Sequence, residues 1–261
     1  MPSSKGPAAW RGCAVAREAV EALLSRIPRA ASSRLLEGAS PHAILAAFYA
    51  ARLCRLEGCS EETAAAAALA YKKGAEEVLK AGLPQHIAHH VRGAVEEAEE
   101  AYLRSPSSQY AMIILDADAL AHIGAFTLFN ISTGYAASLE ALLQAALESL
   151  SYAVASDYIL YTRAAKRLAS SMKPHTLAYF NWVAEELTSL GMKARVRIES
   201  TIGGTVAYLD LETCPCGGET VKDKVVKPLA NCTKYIIGFS CSGCGFSARA
   251  ETCIPETTRA R

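Results

Sequence analysis

From about residue 8 to residue 190 apolar side chains return every three to four positions, and after Gly191 they alternate with polar ones. A change of period from 3.6 to 2 predicts a helical body followed by a β-rich module. In the first part Leu45, Phe48, Tyr49 and Leu53 share one face of a helix over residues 42–56. Ser60-Glu61-Glu62 then caps a second helix running through an alanine run toward Leu79, where small side chains let neighbouring helices approach closely. Gly82 and Pro84 stop one helix and start the next, His86 to Leu103. Further breaks are expected at Pro28, Ser40-Pro41, Gly58, Ser105-Pro106 and Gly134. Residues 159–190 read as one long helix or a broken pair, with Pro174 imposing a kink or short break.

Beyond Gly191 the run Ala194-Arg195-Val196-Arg197-Ile198-Glu199 alternates, residues 202–205 supply a turn, and residues 206–211 continue as a second strand. The expected organisation is a helical domain over 1–191, a β-hairpin with a small module over 192–256, and a flexible tail over 257–261.

Cysteines change this picture most. Cys214-Pro215-Cys216-Gly217 and Cys241-Ser242-Gly243-Cys244-Gly245 are two pairs about 25 residues apart, each followed by glycine. Glycine there permits positive φ and leaves backbone amides free to face thiolates. Four thiolates close a tetrahedral shell with no open position, which points to a structural zinc ion rather than a catalytic one. Val225, Val226, Tyr235, Ile236, Ile237 and Phe239 supply strands between the pairs, so residues 212–252 resemble a zinc ribbon. The first pair has one intervening residue where ribbons usually have two, which leaves Cys232 or Cys253 as a substitute ligand. Two disulfides within the hairpin are the competing use of the same residues. Cys13, Cys54, Cys59, Cys232 and Cys253 otherwise read as small buried hydrophobes.

A formal net charge of +1 gives no global attraction to polyanions, so any nucleic-acid partner must use a local patch. Lys222, Lys224, Lys227 and Lys234 beside Tyr235 and Phe239 form one such strip on the ribbon, and a solvated strand edge accounts for the same residues. The first twenty residues contain Lys5, Arg11, Arg17 and Glu18, and no stretch reaches the ~18 apolar residues of a membrane span. These features place the expected location in the cytoplasm, with no membrane partner. Amides are confined to Asn130, Asn181, Asn231, Gln85, Gln109 and Gln144, a depletion expected of a thermophile protein, whose cytoplasm permits disulfides.

The most informative helical run is Ile113-Ile114-Leu115-Asp116-Ala117-Asp118-Ala119-Leu120-Ala121-His122-Ile123-Gly124-Ala125. Carboxylates directly after a buried apolar triplet are costly unless paired or metal-bound. The run resembles the Asp-Ala-Asp segment of the HD-domain metal-dependent phosphohydrolase superfamily, and the resemblance extends over about residues 40–190. It implies an all-helical fold holding one or two divalent metals, with His42 as the first ligand and Asp116 as the distal one. No His-Asp dipeptide occurs in the chain. Where the family carries it, this sequence runs Ala68-Leu69-Ala70-Tyr71-Lys72, and a later family histidine falls near Ala98. A relocated second metal site is conceivable on His86, His89 and His90, which are i, i+3, i+4, together with Asp118 and His122, another i, i+4 pair.

The sequence therefore supports an HD-like helical domain without its standard metal centre, joined to a zinc ribbon and acting as a binding or regulatory protein for nucleotide, nucleic acid or a protein partner. Arg52, Lys72, Lys73 and Arg92 are candidate counter-charges for a phosphate. The rival is an active phosphohydrolase on nucleotides or phosphodiesters, with Asp116, Asp118 and the displaced histidines around a divalent metal. A structural subunit docking through the ribbon is the third class.

Overall fold

The computed structural model describes residues 11–74, 76, 80–101, 103–124, 127–128, 138–201 and 204–255. The helices described in full are α1 (Arg11–Leu24), α2 (Arg29–Leu36), α3 (Pro41–Glu57), α4 (Glu61–Tyr71), α5 (Gln85–Glu99), α6 (Gln109–Leu120), α7 (Leu139–Ile159) and α8 (Arg163–Ser189). Five strands follow: β1 (Ala194–Thr201), β2 (Gly204–Leu211), β3 (Val221–Pro228), β4 (Cys232–Ser240) and β5 (Ser247–Pro255). The fold is mainly α with a C-terminal β module.

Hydroxyl caps set most helix starts. Ser40, Ser60, Ser108, Ser138 and Thr162 each accept from the backbone N–H three residues on, satisfying a donor that the first turn leaves orphaned. In α4 every residue from Thr63 to Ala70 is buried, so it is a core helix wrapped on all sides by α3, α5 and α6. It stops at Tyr71 instead of continuing toward Leu79, because Gly74 enters the left-handed region at φ 93°; Leu79 lies outside the described residues, as do Gly134 and the tail over 257–261. Residues 159–190 resolve into the end of α7 and one unbroken α8. Pro174 sits in α8 on the solvent side, where the carbonyl it leaves unpaired can meet water.

The alternation after Gly191 forms the expected antiparallel hairpin, with Ala194 opposite Leu211 and Thr201 opposite Gly204. Strands β3, β4 and β5 form a separate antiparallel meander in that order. Both sheets pack on α7, which also supplies polar side chains to their edges. Gln144 donates to the Glu251 carbonyl (2.7 Å) and accepts from its N–H (2.8 Å). Ser151 donates to the Ala207 carbonyl (2.9 Å) and accepts from the Ala207 N–H (3.2 Å), and Tyr158 does the same for Thr205 (3.2 and 3.1 Å). A helix thus satisfies main-chain groups that an open sheet edge would present to other chains. Its apolar residues Leu147 and Leu150 join Val206, Leu209, Tyr235 and Ile254 in the same core as the helical body.

Between the sheets lies Asp210, fully buried, with Lys222 of β3 at 2.6 Å, Arg197 at 3.2 Å and Arg195 at 3.7 Å. Three cations answer the desolvation of one carboxylate; Arg195 and Arg197 come from its own hairpin, and Lys222 ties the hairpin to the meander. Cys54 and Cys59, expected as buried apolar residues, form a disulfide across the α3–α4 junction. The turn there brings their Cα atoms to 4.9 Å, within bridging reach.

Candidate functional site

The first site is the cysteine cluster. Thr213 bridges to Glu219 and Cys214 donates its N–H to the Gly218 carbonyl, closing a loop that turns Cys214 and Cys216 toward a second loop carrying Cys241 and Cys244. The four ligand sulfurs lie within 4.8 Å of one another. Thiolates about 2.3 Å from a tetrahedral zinc stand about 3.8 Å apart. Cys214–Cys244 at 3.6 Å and Cys216–Cys241 at 3.7 Å match that edge, while Cys214–Cys241 (3.1 Å) and Cys214–Cys216 (2.6 Å) are closer. The following glycines, Gly217 and Gly245, take φ of 83° and 73°, as the sequence demanded. At Gly218 an added Cβ would meet the Cys241 sulfur at 3.1 Å and the Cys216 sulfur at 3.4 Å, so a side chain there would push on the sulfurs by a few tenths of an ångström. These four cysteines can hold a metal such as zinc. Cys232 and Cys253 are not substitutes for them: they lie diagonally on β4 and β5, Cys232 opposite Pro255 and Cys253 opposite Lys234, and form a disulfide.

The second site lies in the helical body. Asp118 on the last turn of α6, His42 on the first turn of α3 and His122 just beyond α6 place one ligand atom each within 4.8 Å of the others. His42 donates from Nε2 to Asp118 Oδ1 at 2.7 Å, and Lys72, the C-cap of α4, places Nζ 2.5 Å from the same oxygen. The rings of His42 and His122 have centroids 4.4 Å apart, and His122 stacks on Tyr152 of α7 at 4.0 Å. Burial opposes ionisation of Asp118, but the His42 hydrogen bond and the Lys72 charge overcome it and hold the carboxyl well below the usual carboxylate range. Burial, reinforced by the charges of His42 and Lys72 and opposed by Asp118, pushes His122 down to about 3, so its imidazole is neutral near pH 7.

The other sequence candidates lie elsewhere. Asp116, read as the distal metal ligand, faces away from this cluster and is fully buried. Its two oxygens accept from the N–H groups of Tyr161 (2.7 Å) and Thr162 (2.8 Å) at the start of α8. Burial raises its carboxyl to about 6 against those two bonds. His86, His89 and His90 are exposed on α5, and among the described residues they share no metal-capable group with Asp118 or His122. Lys73 donates to the Arg34 and Glu37 carbonyls, and Arg52 and Arg92 are exposed, so of the four candidate counter-charges Lys72 alone reaches Asp118. On the β module Lys222, Lys224 and Lys234 pair with Asp210, Glu199 and Glu251.

Sequence reasoning missed a cavity of about 240 Å³ between the helical body and the β module, bounded by Tyr71, Glu99, Leu115, Asp118, Tyr152 and Tyr161, with Cys232 and Cys253 on its far wall. Its lining comes from segments far apart in the chain, and no local pattern announces it. Among the described helices none is long and apolar enough to cross a membrane. Compared with family models, curated proteins and solved structures, the chain matches no family model, no curated protein and no solved structure.

Proposed function

We propose that this chain is a non-catalytic binding protein: a helical body of HD-like ancestry whose metal centre has been replaced by an internal ion pair, and a β module held by a structural zinc on Cys214, Cys216, Cys241 and Cys244. The observation that carries the first half is Lys72. Its ammonium lies 2.5 Å from the Asp118 oxygen that also receives the His42 hydrogen bond. A divalent ion at His42, Asp118 and His122 would have to displace that ammonium and break that hydrogen bond. Lys72 follows Tyr71 at the positions where the resemblance expects the missing His-Asp pair, which supports substitution of a metal-binding motif by a cation.

The paired state of Lys222, Lys224 and Lys234 weakens the electrostatic case for nucleic acid on the ribbon, leaving Lys227 of that strip without an ion pair among the described residues. The rival reading, a metal-dependent phosphohydrolase, is favoured by one thing, the convergence of two imidazoles and a carboxylate. Metal analysis of the full chain by mass spectrometry separates the two. The proposal expects one equivalent of zinc, none lost on Asp118→Ala, and a second equivalent gained only when Lys72→Ala vacates the site. A wild-type second equivalent, with Mn²⁺- or Co²⁺-dependent release of phosphate from a phosphodiester that disappears in Asp118→Ala, establishes the hydrolase instead.

A further inference from the structure

Among the described residues, side chains close or blunt the strand edges of both sheets with one exception, the outer edge of β1. The Glu212 N–H donates to the Lys193 carbonyl, and this register points the main-chain groups of Arg195, Arg197 and Glu199 at β2. Those of Ala194, Val196, Ile198 and Ser200 then point outward. On β2 the outward groups of Thr205 and Ala207 meet Tyr158 and Ser151, and the Leu211 carbonyl accepts from Thr220. On β5 Glu251 meets Gln144, and the Cys253 carbonyl accepts from Tyr152. β3 carries Lys222, Lys224 and Pro228, residue types that blunt strand addition. On β1 only Ala194 is covered: its N–H donates to the Thr188 hydroxyl (3.3 Å), which lies 3.4 Å from its carbonyl. Val196, Ile198 and Ser200 have no outward main-chain partner among the described residues. The strand has no lysine or proline, and its Ile198 side chain is 53 % exposed. An apolar edge with open N–H and C=O groups is a template for another strand.

The sequence of β1 selects a second copy of itself as the occupant. Two β1 strands paired antiparallel about a two-fold axis at Ile198 set Ile198 against Ile198 and Val196 against Ser200. The open positions of one edge then meet those of the other, and the Thr188 cap on Ala194 stays in place. The same register sets Arg197 opposite Glu199 of the second copy, in the non-hydrogen-bonded pairing where side chains come closest. Pairing centred on Val196, Arg197 or Glu199 sets like charges opposite each other, and the first two also require Ala194. We propose that β1 is a homodimerisation edge, joining two chains at Ile198 into a continuous four-stranded antiparallel sheet. Strand pairing alone makes a small interface, so the dimer dissociates on dilution. The inference is independent of whether the helical site holds a metal.

The test is sedimentation velocity on the full-length protein over a roughly thousandfold range of concentration, across which one chain should give way to two. Hydrogen exchange over the same range should protect the outward amides of Val196, Ile198 and Ser200 by roughly tenfold or more. The amides of Arg195, Arg197 and Glu199, already bonded to β2, should not change. Ile198→Pro removes only an outward N–H, and Ile198→Lys sets two ammonium groups against each other at the axis. Each should stay monomeric throughout with wild-type circular dichroism and metal content, while Ile198→Val should still dimerise. If either variant loses its fold, the exchange pattern of the wild type decides. A wild type that is monomeric throughout, a dimer that persists in Ile198→Pro or Ile198→Lys, or protection that does not separate outward from inward amides overturns the proposal. Outward amides protected even at the lowest concentration identify a segment of the same chain as the occupant and overturn it as well.

Discussion

Asp116→Asn measures what the first carboxylate of the Asp-Ala-Asp run does. In the wild type the two oxygens accept from the Tyr161 and Thr162 N–H groups, where α8 begins, with no solvent contact. The asparagine keeps one oxygen and turns an amide N–H₂ toward the second donor, leaving that donor unpaired at a cost of roughly 1–3 kcal/mol. The wild-type group titrates and the asparagine does not. Burial lifts the folded carboxyl from 3.8 to about 6. A raised acid contributes stability that is fully present below the unfolded value and is lost as pH rises through the folded one. About two units at ~1.36 kcal/mol each give a loss of up to about 3 kcal/mol between pH 4 and pH 7 that the variant lacks.

The variant should therefore be clearly less stable than wild type at pH 4, and the gap should narrow by about 2–3 kcal/mol by pH 7. Urea denaturation followed by far-ultraviolet circular dichroism at pH 4, 5, 6 and 7 reads this difference directly, because titrations common to both proteins cancel. A metal-ligating Asp116 would behave in the opposite way: its carboxyl would be held ionised, and the gap would widen as pH rises. A gap that stays constant or widens refutes the assignment of Asp116 as a cap on α8.

Three further outcomes follow from the β module. Cys241→Ser should lose the zinc, measured by mass spectrometry, and lower the thermal midpoint, since a structural site of this kind supplies on the order of 10 kcal/mol of folding free energy; full metal content with an unchanged midpoint contradicts the ligand set. Gly218→Ala, whose new Cβ would crowd the Cys241 and Cys216 sulfurs, should surrender its metal to a chromophoric chelator roughly tenfold faster than wild type, with indistinguishable rates counting against the cradle. Asp210→Ala leaves Lys222, Arg197 and Arg195 without their shared carboxylate and should cost about 3 kcal/mol in chemical denaturation, whereas a cost near zero would show that the cations are carried by solvent.

What the sequence discloses and what it hides divide along the range of the interactions. The change of period at Gly191, the break at Ser40-Pro41, the Ser60 cap, the hairpin after Gly191 and the convergence of Cys214, Cys216, Cys241 and Cys244 are all governed by spacing within a few residues or by one repeated motif. The identity of the site carboxylate is not. Asp116 and Asp118 are two positions apart on α6, which turns them about 200° from one another. One faces the start of α8 and the other faces α3 and α4. Which is which depends on where those helices pack, and the spacing Asp-Ala-Asp is the same in either case. The disulfide between Cys232 and Cys253 is hidden for the same reason, since only the β4–β5 register brings those strand ends together.

The position of α7 explains why the two halves of the chain are read best as one machine. Its Gln144, Ser151 and Tyr158 occupy the edges of both sheets, while Tyr152 stacks on His122 and donates its hydroxyl to the Cys253 carbonyl at 3.3 Å. One side chain therefore touches the imidazole beside Asp118 and the strand that closes the cavity. The strand end is covalently joined to β4, and β4 leads into the loop of Cys241 and Cys244. The cysteine loop and the far wall of the cavity therefore lie at opposite ends of β4, the wall end meeting Tyr152 through the Cys253 carbonyl. The chemistry at the two sites differs, one able to hold a metal and the other an ion pair, and α7, β4 and β5 connect them.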